Sequence, residues 1–186
     1  AQNRATIASL AKQSNPTWQS LAAQLEELDD TLSKAWSLVS HLNAVTNSPA
    51  WREAYNGCLA QISAYYTELG QNTDLYQSYH TLADSPEFAQ LNTAQQQAIN
   101  NALRDFRLSG VALPVEQKQR FAAIEERLSA ICSKFADNLL DATQAWHKPL
   151  SQEELQGIPQ ASQNLLAQLA TQRGLTGHIV TLDAPA

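Results

Sequence analysis

Residues 18–42 read WQSLAAQLEELDDTLSKAWSLVSHL, and their apolar positions fall into two series seven residues apart. One series is Trp18, Leu25, Leu32 and Val39; the other is Leu21, Leu28, Ala35 and Leu42. Apolar residues at alternating spacings of three and four mark a helix with a single buried seam. Asn15 is placed to act as its N-cap, with Pro16 at the first helical position. Asn47-Ser48-Pro49 breaks the run and restarts it, Ser48 capping and Pro49 opening. A second seam follows at once: Trp51, Cys58 and Tyr65 in one series, Tyr55, Ile62 and Leu69 in the other, closed by Gly70. Two long helices joined by so short a turn must run antiparallel, their seams facing each other or a shared partner.

The same pattern extends along most of the chain. Phe121, Ile124, Leu128, Ile131 and Phe135 form a third stripe, which slips at Asn138 and continues through Leu139, Ala142 and Trp146. Burial of these seams predicts that Leu25→Ala or Phe135→Ala costs about 2–5 kcal/mol. Shorter helices are predicted over about 74–83 and 93–108, with a turn opened by Ser85-Pro86 between them. Gly110 stops the second of these helices and Pro114 opens the next. The last forty residues differ. Ser151 and Glu154 form a capping box for a short helix ending at Gly157, and Pro159 restarts a helix to about Gln172. Gly174 and Gly177 bracket a turn into His178-Ile179-Val180-Thr181-Leu182, the one β-rich stretch. A strand needs a partner for its backbone, and residues 145–150 are the one internal candidate. The fold class expected is all-α: an antiparallel bundle of long helices over 1–144, then a strand-helix-strand excursion over 145–186.

Composition narrows the function classes. Of the 186 residues, 12 are Lys or Arg and 18 Asp or Glu, a net charge of −6 that argues against nucleic acid as a partner. At 44% apolar the chain can build a core, while no apolar run exceeds the four residues of FAAI at 121–124, so no membrane span is expected. There is no Met, the first residue is Ala1, and the strand stands close to the final Asp183-Ala184-Pro185-Ala186. These features lead us to expect a processed or excised piece of a longer chain. Cys58 and Cys132 do not make a disulfide framework and read as reduced, buried thiols, which points to the cytoplasm.

Reaction chemistry is hard to find. None of His41, His80, His147 and His178 lies three to five residues from another, and none follows an acid at minus three, so neither a helical His pair nor a Glu-x-x-His ligand set occurs. The run Glu26-Glu27-Leu28-Asp29-Asp30 places Glu26 and Asp30 one turn apart, and reads as a solvated face flanking the seam at Leu28. Ser9-x-x-Lys12 lacks every companion motif of acyl-transfer enzymes. Gly174-x-x-Gly177 reads as a strand-entry turn. No catalytic residue and no metal ligand is assigned, and substrate-binding residues stay open. Aromatics offer the other reading: Tyr55, Tyr65, Tyr66, Tyr76 and Tyr79, with Trp18, Trp36 and Trp51, crowd the first half. Most are expected to fill the core. Trp36 and Tyr66 fall off the heptad series and are the better candidates for a groove.

Residues 91–114, LNTAQQQAINNALRDFRLSGVALP, closely resemble the corresponding part of the bacterial oligopeptidase A family, to which thimet oligopeptidase and neurolysin are more distantly similar. So do SHLNAV at 40–45, NLLDAT at 138–143 with Trp146, ELQGIP at 154–159 and TLD at 181–183, in the family's order and over nearly the whole chain. The resemblance implies a zinc metallopeptidase that cuts short peptides inside a deep channel. Its zinc, held by a His-Glu-x-x-His helix and a further glutamate, belongs to a C-terminal catalytic domain, and none of those motifs occurs here. What aligns is the N-terminal lobe that walls the channel, so this chain is expected to hydrolyse nothing alone and to hold no cofactor. Its implied partners are that catalytic domain and short peptides. An apolar patch left where the catalytic domain packs would give weak self-association. A free-standing helical peptide- or protein-interaction module is the alternative from a different class, and a purely structural bundle is the third reading.

Overall fold

A computed structural model describes residues 2–46 and 48–182. Asn47, placed above in the break between the first two seams, lies outside the described residues, as do 183–186. Seven α-helices and a two-stranded ribbon make up the described chain: α1 (Gln2–Leu10), α2 (Ala23–Val45), α3 (Pro49–Gly70), α4 (Thr73–Ala83), α5 (Thr93–Leu108), α6 (Val115–Ala145), β1 (His147–Leu150), α7 (Gln160–Gln172) and β2 (His178–Thr181). This is the all-α bundle with a small C-terminal hairpin that the periodicity predicts. Close contacts divide the chain into two units, Ala1–Ala130 and Ile131–Ala186.

In the first unit the core is assembled from short segments. Leu21, Leu75, Leu82 and Ile99 are fully enclosed, with Tyr79, Leu103 and Phe106 packed among them. Leu21 belongs to a π-helical turn, Trp18–Ala22, that leads into α2. The cap of that turn is Thr17, two residues beyond the expected Asn15. Thr17 Oγ1 accepts from the Ser20 N–H and Ser20 Oγ accepts from the Thr17 N–H, each at 3.0 Å. This reciprocal pair satisfies two free amides at once, which a lone Asn cannot do. Trp18 N–H donates to Glu87 Oε1 at 3.1 Å, tying the turn to the loop after α4. Ser48 and Pro49 open α3 as expected, with Ser48 Oγ accepting from the Trp51 N–H. Asn92 and Gln95 form a reciprocal capping box at the start of α5.

Gly70 ends α3 for a different reason from the one anticipated. Its backbone is not left-handed; a Cβ there would lie 2.6 Å from the side chain of Ser109, so only glycine lets the ends of α3 and α5 approach. Gly110 does take the left-handed conformation, at φ +80°, and stops α5.

The long helices bury less than their seams promise. No residue of α2 or α6 is fully buried; Leu25, Leu28 and Leu32 are half-buried against the core. The third stripe is exposed: Ile124, Leu128, Ile131 and Leu139 are each half or more accessible, and Phe135 is 69% exposed. Cys58 and Cys132 are free thiols, but both are exposed rather than buried. Heptad spacing reports that a helix has one apolar face, not that this face is covered by the same polypeptide.

In the second unit, β1 pairs antiparallel with β2, His147 opposite Thr181 and Leu150 opposite His178, so the segment singled out as the strand's partner is its partner. Ser151 and Glu154 make both capping-box bonds, yet residues 152–157 form only turns and not the expected helix. Lys148 Nζ reaches Glu154 Oε1 at 2.6 Å, and this cation holds the Glu154 carboxyl below its ordinary range. Leu155, Ala170, Ile179 and Thr181 are the buried residues of the unit.

Enclosure decides the expected stabilities. Leu82→Ala and Ile99→Ala should each cost about 2–5 kcal/mol in urea unfolding, whereas Phe135→Ala should stay within about 0.5 kcal/mol.

Candidate functional site

Because α2 rests on the core along one edge only, an aromatic-lined cavity of about 320 Å³ opens between it and α3, α4 and α5. Leu25 and Leu28 of α2, Leu69 of α3, and Leu75 and Phe106 of the α4–α5 pair form its apolar wall. Three exposed acids edge it, Glu26, Asp29 and Asp105. Asp105 is already paired with Arg104 at 2.8 Å. Asp29 Oδ1 accepts from the Tyr66 hydroxyl at 2.9 Å. Among the described residues Glu26 has no hydrogen-bond or ion-pair partner.

The tyrosines define the polar character of the interior. Tyr79 is only 5% exposed and packs against Phe106 with ring centroids 5.7 Å apart. Its side chain lines the cavity, and its hydroxyl is not among the buried polar atoms left without a partner. Burial, aided by the charge of Glu26, pushes its ionisation upward. Burial is also the main cause that lifts Tyr66 to about 12, followed by its bond to Asp29. Tyr65 stands edge-on to Tyr66, centroids 5.3 Å apart. The Arg4 guanidinium lies 5.7 Å from the Tyr65 ring centre while its Nε donates to Glu68 Oε2 at 2.6 Å.

A second, wider depression of about 550 Å³ lies between α3, the end of α5 and the start of α6. Trp36 and Tyr66 both line it, and Tyr66 borders the first cavity as well. Trp36 is stacked on Tyr55, centroids 5.0 Å apart. Thus the two aromatics off the heptad beat both face open space. Tyr79 carries no such sequence signal, because it sits on the buried stripe of α4. The acids Glu26 and Asp29 are legible only as a solvated face until α3 and α5 are placed beside them.

The residues weighed for catalysis remain apart. Ser9 and Lys12 are both exposed. Asp30 pairs with Lys34 at 2.5 Å, not with Glu26. His80 Nδ1 lies 2.9 Å from Asp84, and His41 is exposed. His147 and His178 occupy opposite ends of the β-ribbon. Among the described residues no group of three or more His, Cys, Asp or Glu could hold a metal ion. These side chains therefore do not fit a zinc ion, which the family resemblance assigns to a different domain.

Comparison with known proteins places the chain in a family. A model of the neurolysin/thimet oligopeptidase N-terminal domain matches residues 1–118, a stretch that contains every residue lining the smaller cavity. The chain belongs to the neurolysin/thimet oligopeptidase family. It is 45% identical over 184 residues to oligopeptidase A of Haemophilus influenzae, covering 98% of this chain and 27% of that protein. It is likewise 45% identical to oligopeptidase A of Escherichia coli, over 91% of this chain and 25% of that protein. An organellar oligopeptidase A of Arabidopsis thaliana is 31% identical over 98% of the chain. The chain spans about a quarter of the length of these family members, and what matches is their N-terminal domain. No helix among the described residues is long and apolar enough to cross a membrane.

Alkaline titration checks the tyrosine environment. A tyrosinate absorbance component with a midpoint of about 12 should vanish in Tyr66→Phe. An elevated folded-state pKa means the unfolded chain releases the proton first, so Tyr66 favours folding below pH about 10, and that contribution is lost between about 10 and 12. Thermal melts across this window should fall less steeply for Tyr66→Phe than for the parent chain.

Proposed function

We propose that this chain is the N-terminal channel lobe of an oligopeptidase A-like zinc metalloendopeptidase that hydrolyses short peptides. The reading is carried by one observation: 45% identity over 98% of the chain to an oligopeptidase A of which it covers 27%. Zinc and the groups that activate water belong, on this reading, to a catalytic domain outside these 186 residues. The lobe's own work is to wall the channel, offering aromatic and apolar surface to extended peptides while excluding folded proteins. Two open aromatic depressions on the first unit suit that task, because rings supply contact area with little rotamer entropy to lose.

The catalytic domain is the natural cover for the exposed apolar side chains of α6, which are an expensive surface to leave in water. Two free thiols accord with a cytoplasmic setting.

Hydrolysis tests the reading directly. The chain incubated with zinc and a fluorogenic peptide should give no turnover above buffer. Turnover should appear on mixing with the remaining three-quarters of a relative such as the Haemophilus influenzae oligopeptidase A. Zinc-dependent cleavage by the chain alone would refute the proposal. Sedimentation at rising concentration should show weak self-association that Phe135→Glu reduces; a strictly monomeric profile would remove the exposed α6 stripe as a contact surface.

A further inference from the structure

We infer that the exposed stripe of α6 is the docking surface for an amphipathic helix whose apolar seam is flanked by acidic side chains. This deepens the channel-lobe reading and rests on it for the source of that helix, the catalytic domain. The first observation is that α6 is held by its polar side. Lys118 Nζ donates to the Gln71 carbonyl at 3.1 Å, and Ser129 Oγ donates to Ser63 Oγ at 3.2 Å. Lys118 and Ser129 are half-buried, whereas Ile124, Leu128, Ile131, Phe135 and Leu139 are each at least half exposed. These five follow one another at spacings of three and four, so they form a continuous strip and not scattered single residues. Such a strip has the form of a helix-pairing seam.

The second observation is a row of cations beside this strip. Arg120, Arg127 and Lys134 stand seven residues apart, directly before Phe121, Leu128 and Phe135. All three are exposed, and among the described residues none has a hydrogen-bond or ion-pair partner. Seven residues are two helical turns, about 10 Å, the interval at which flanking positions of paired helices meet. Glutamates at that interval on a partner would answer the whole row. The apolar seam supplies the affinity, and the charges select the partner. A second copy answers poorly. In an antiparallel pair row faces row; in a parallel pair Arg127 and Lys134 face Cys132 and Leu139. Self-association therefore stays weak. Anionic lipid would also attract a basic helix face, but a chain of net charge −6 is repelled by such a surface. The third observation is length: the chain covers 27% of the Haemophilus influenzae oligopeptidase A, so family members carry ample further polypeptide to supply the helix.

The test is an NMR titration of the isotope-labelled 186-residue chain with two capped peptides of about four heptads, both with leucine seams. One is flanked by glutamates and the other by lysines, and like charges keep each from pairing with itself. At low salt the glutamate peptide should bind about tenfold more tightly, shifting amides over residues 120–139. In the triple variant Arg120→Glu, Arg127→Glu, Lys134→Glu the preference should invert, which a loss of folding cannot mimic. Anionic phospholipid vesicles should not carry the chain down on sedimentation. In the mixing assay with the rest of the Haemophilus influenzae oligopeptidase A, the triple variant should need about tenfold more protein to restore turnover. Equal affinity for the two peptides, or a preference that survives the reversal, would overturn the acid-flanked helix and leave the channel lobe intact. Capture by the vesicles would overturn it in favour of a membrane surface. Undiminished restoration by the triple variant would overturn the catalytic domain as the source. Failure of the unsubstituted chain to restore cleavage would strike the channel reading, while the peptide preference still decides the role of α6.

Discussion

Enclosure of four aliphatic side chains, Leu21, Leu75, Leu82 and Ile99, is the constraint on which the first unit depends. They come from three separate segments: the π-helical turn before α2, then α4, then α5. Once they interlock, Tyr79 and Phe106 are fixed against one another, and the start of α2 is pinned by Thr17, Ser20 and Glu87. The remainder of α2 and all of α3 extend from this anchor. Their seams are only half covered along most of their length. Incomplete coverage is what leaves the aromatic cavity open, and a helix pair that packed fully would have closed it.

The division between anchored and open surface has a functional reading. On the proposed reading as a channel wall, the chain must be rigid enough to hold its shape yet present apolar and aromatic surface to a guest. Here rigidity comes from the short helices and their caps, while the long helices supply the surface. Tyr66 illustrates the arrangement: its hydroxyl is fixed by Asp29, and its ring borders both depressions. Gly70 contributes by absence, since any side chain would push α3 away from Ser109 at the edge of both openings.

Local signals in the chain were strong where they involved neighbours in sequence. The limits of α5, the restart at Ser48-Pro49 and the pairing of residues 147–150 with 178–181 all follow from caps, prolines and alternation. Signals failed where the answer depended on distant partners. The α6 stripe has correct helical spacing but no cover among the described residues of its own units, so Phe135 and Cys132 stand in solvent. Asn15 lost the cap to Thr17 because the Thr17–Ser20 exchange satisfies donors in both directions. The turns at 152–157 show that a capping box can form without propagating a helix, in a segment that the left-handed Gly157 closes after six residues. The cavity itself was invisible, since Glu26, Tyr66, Tyr79 and Asp105 are brought together by packing and by no motif.

On the proposed reading these helices shape and bind, while the hydrolytic atoms reside in other polypeptide. Zinc titration of the chain by calorimetry addresses it most directly. No stoichiometric uptake is expected at micromolar metal. A one-to-one complex at that concentration, abolished by His80→Ala or His41→Ala, would contradict it.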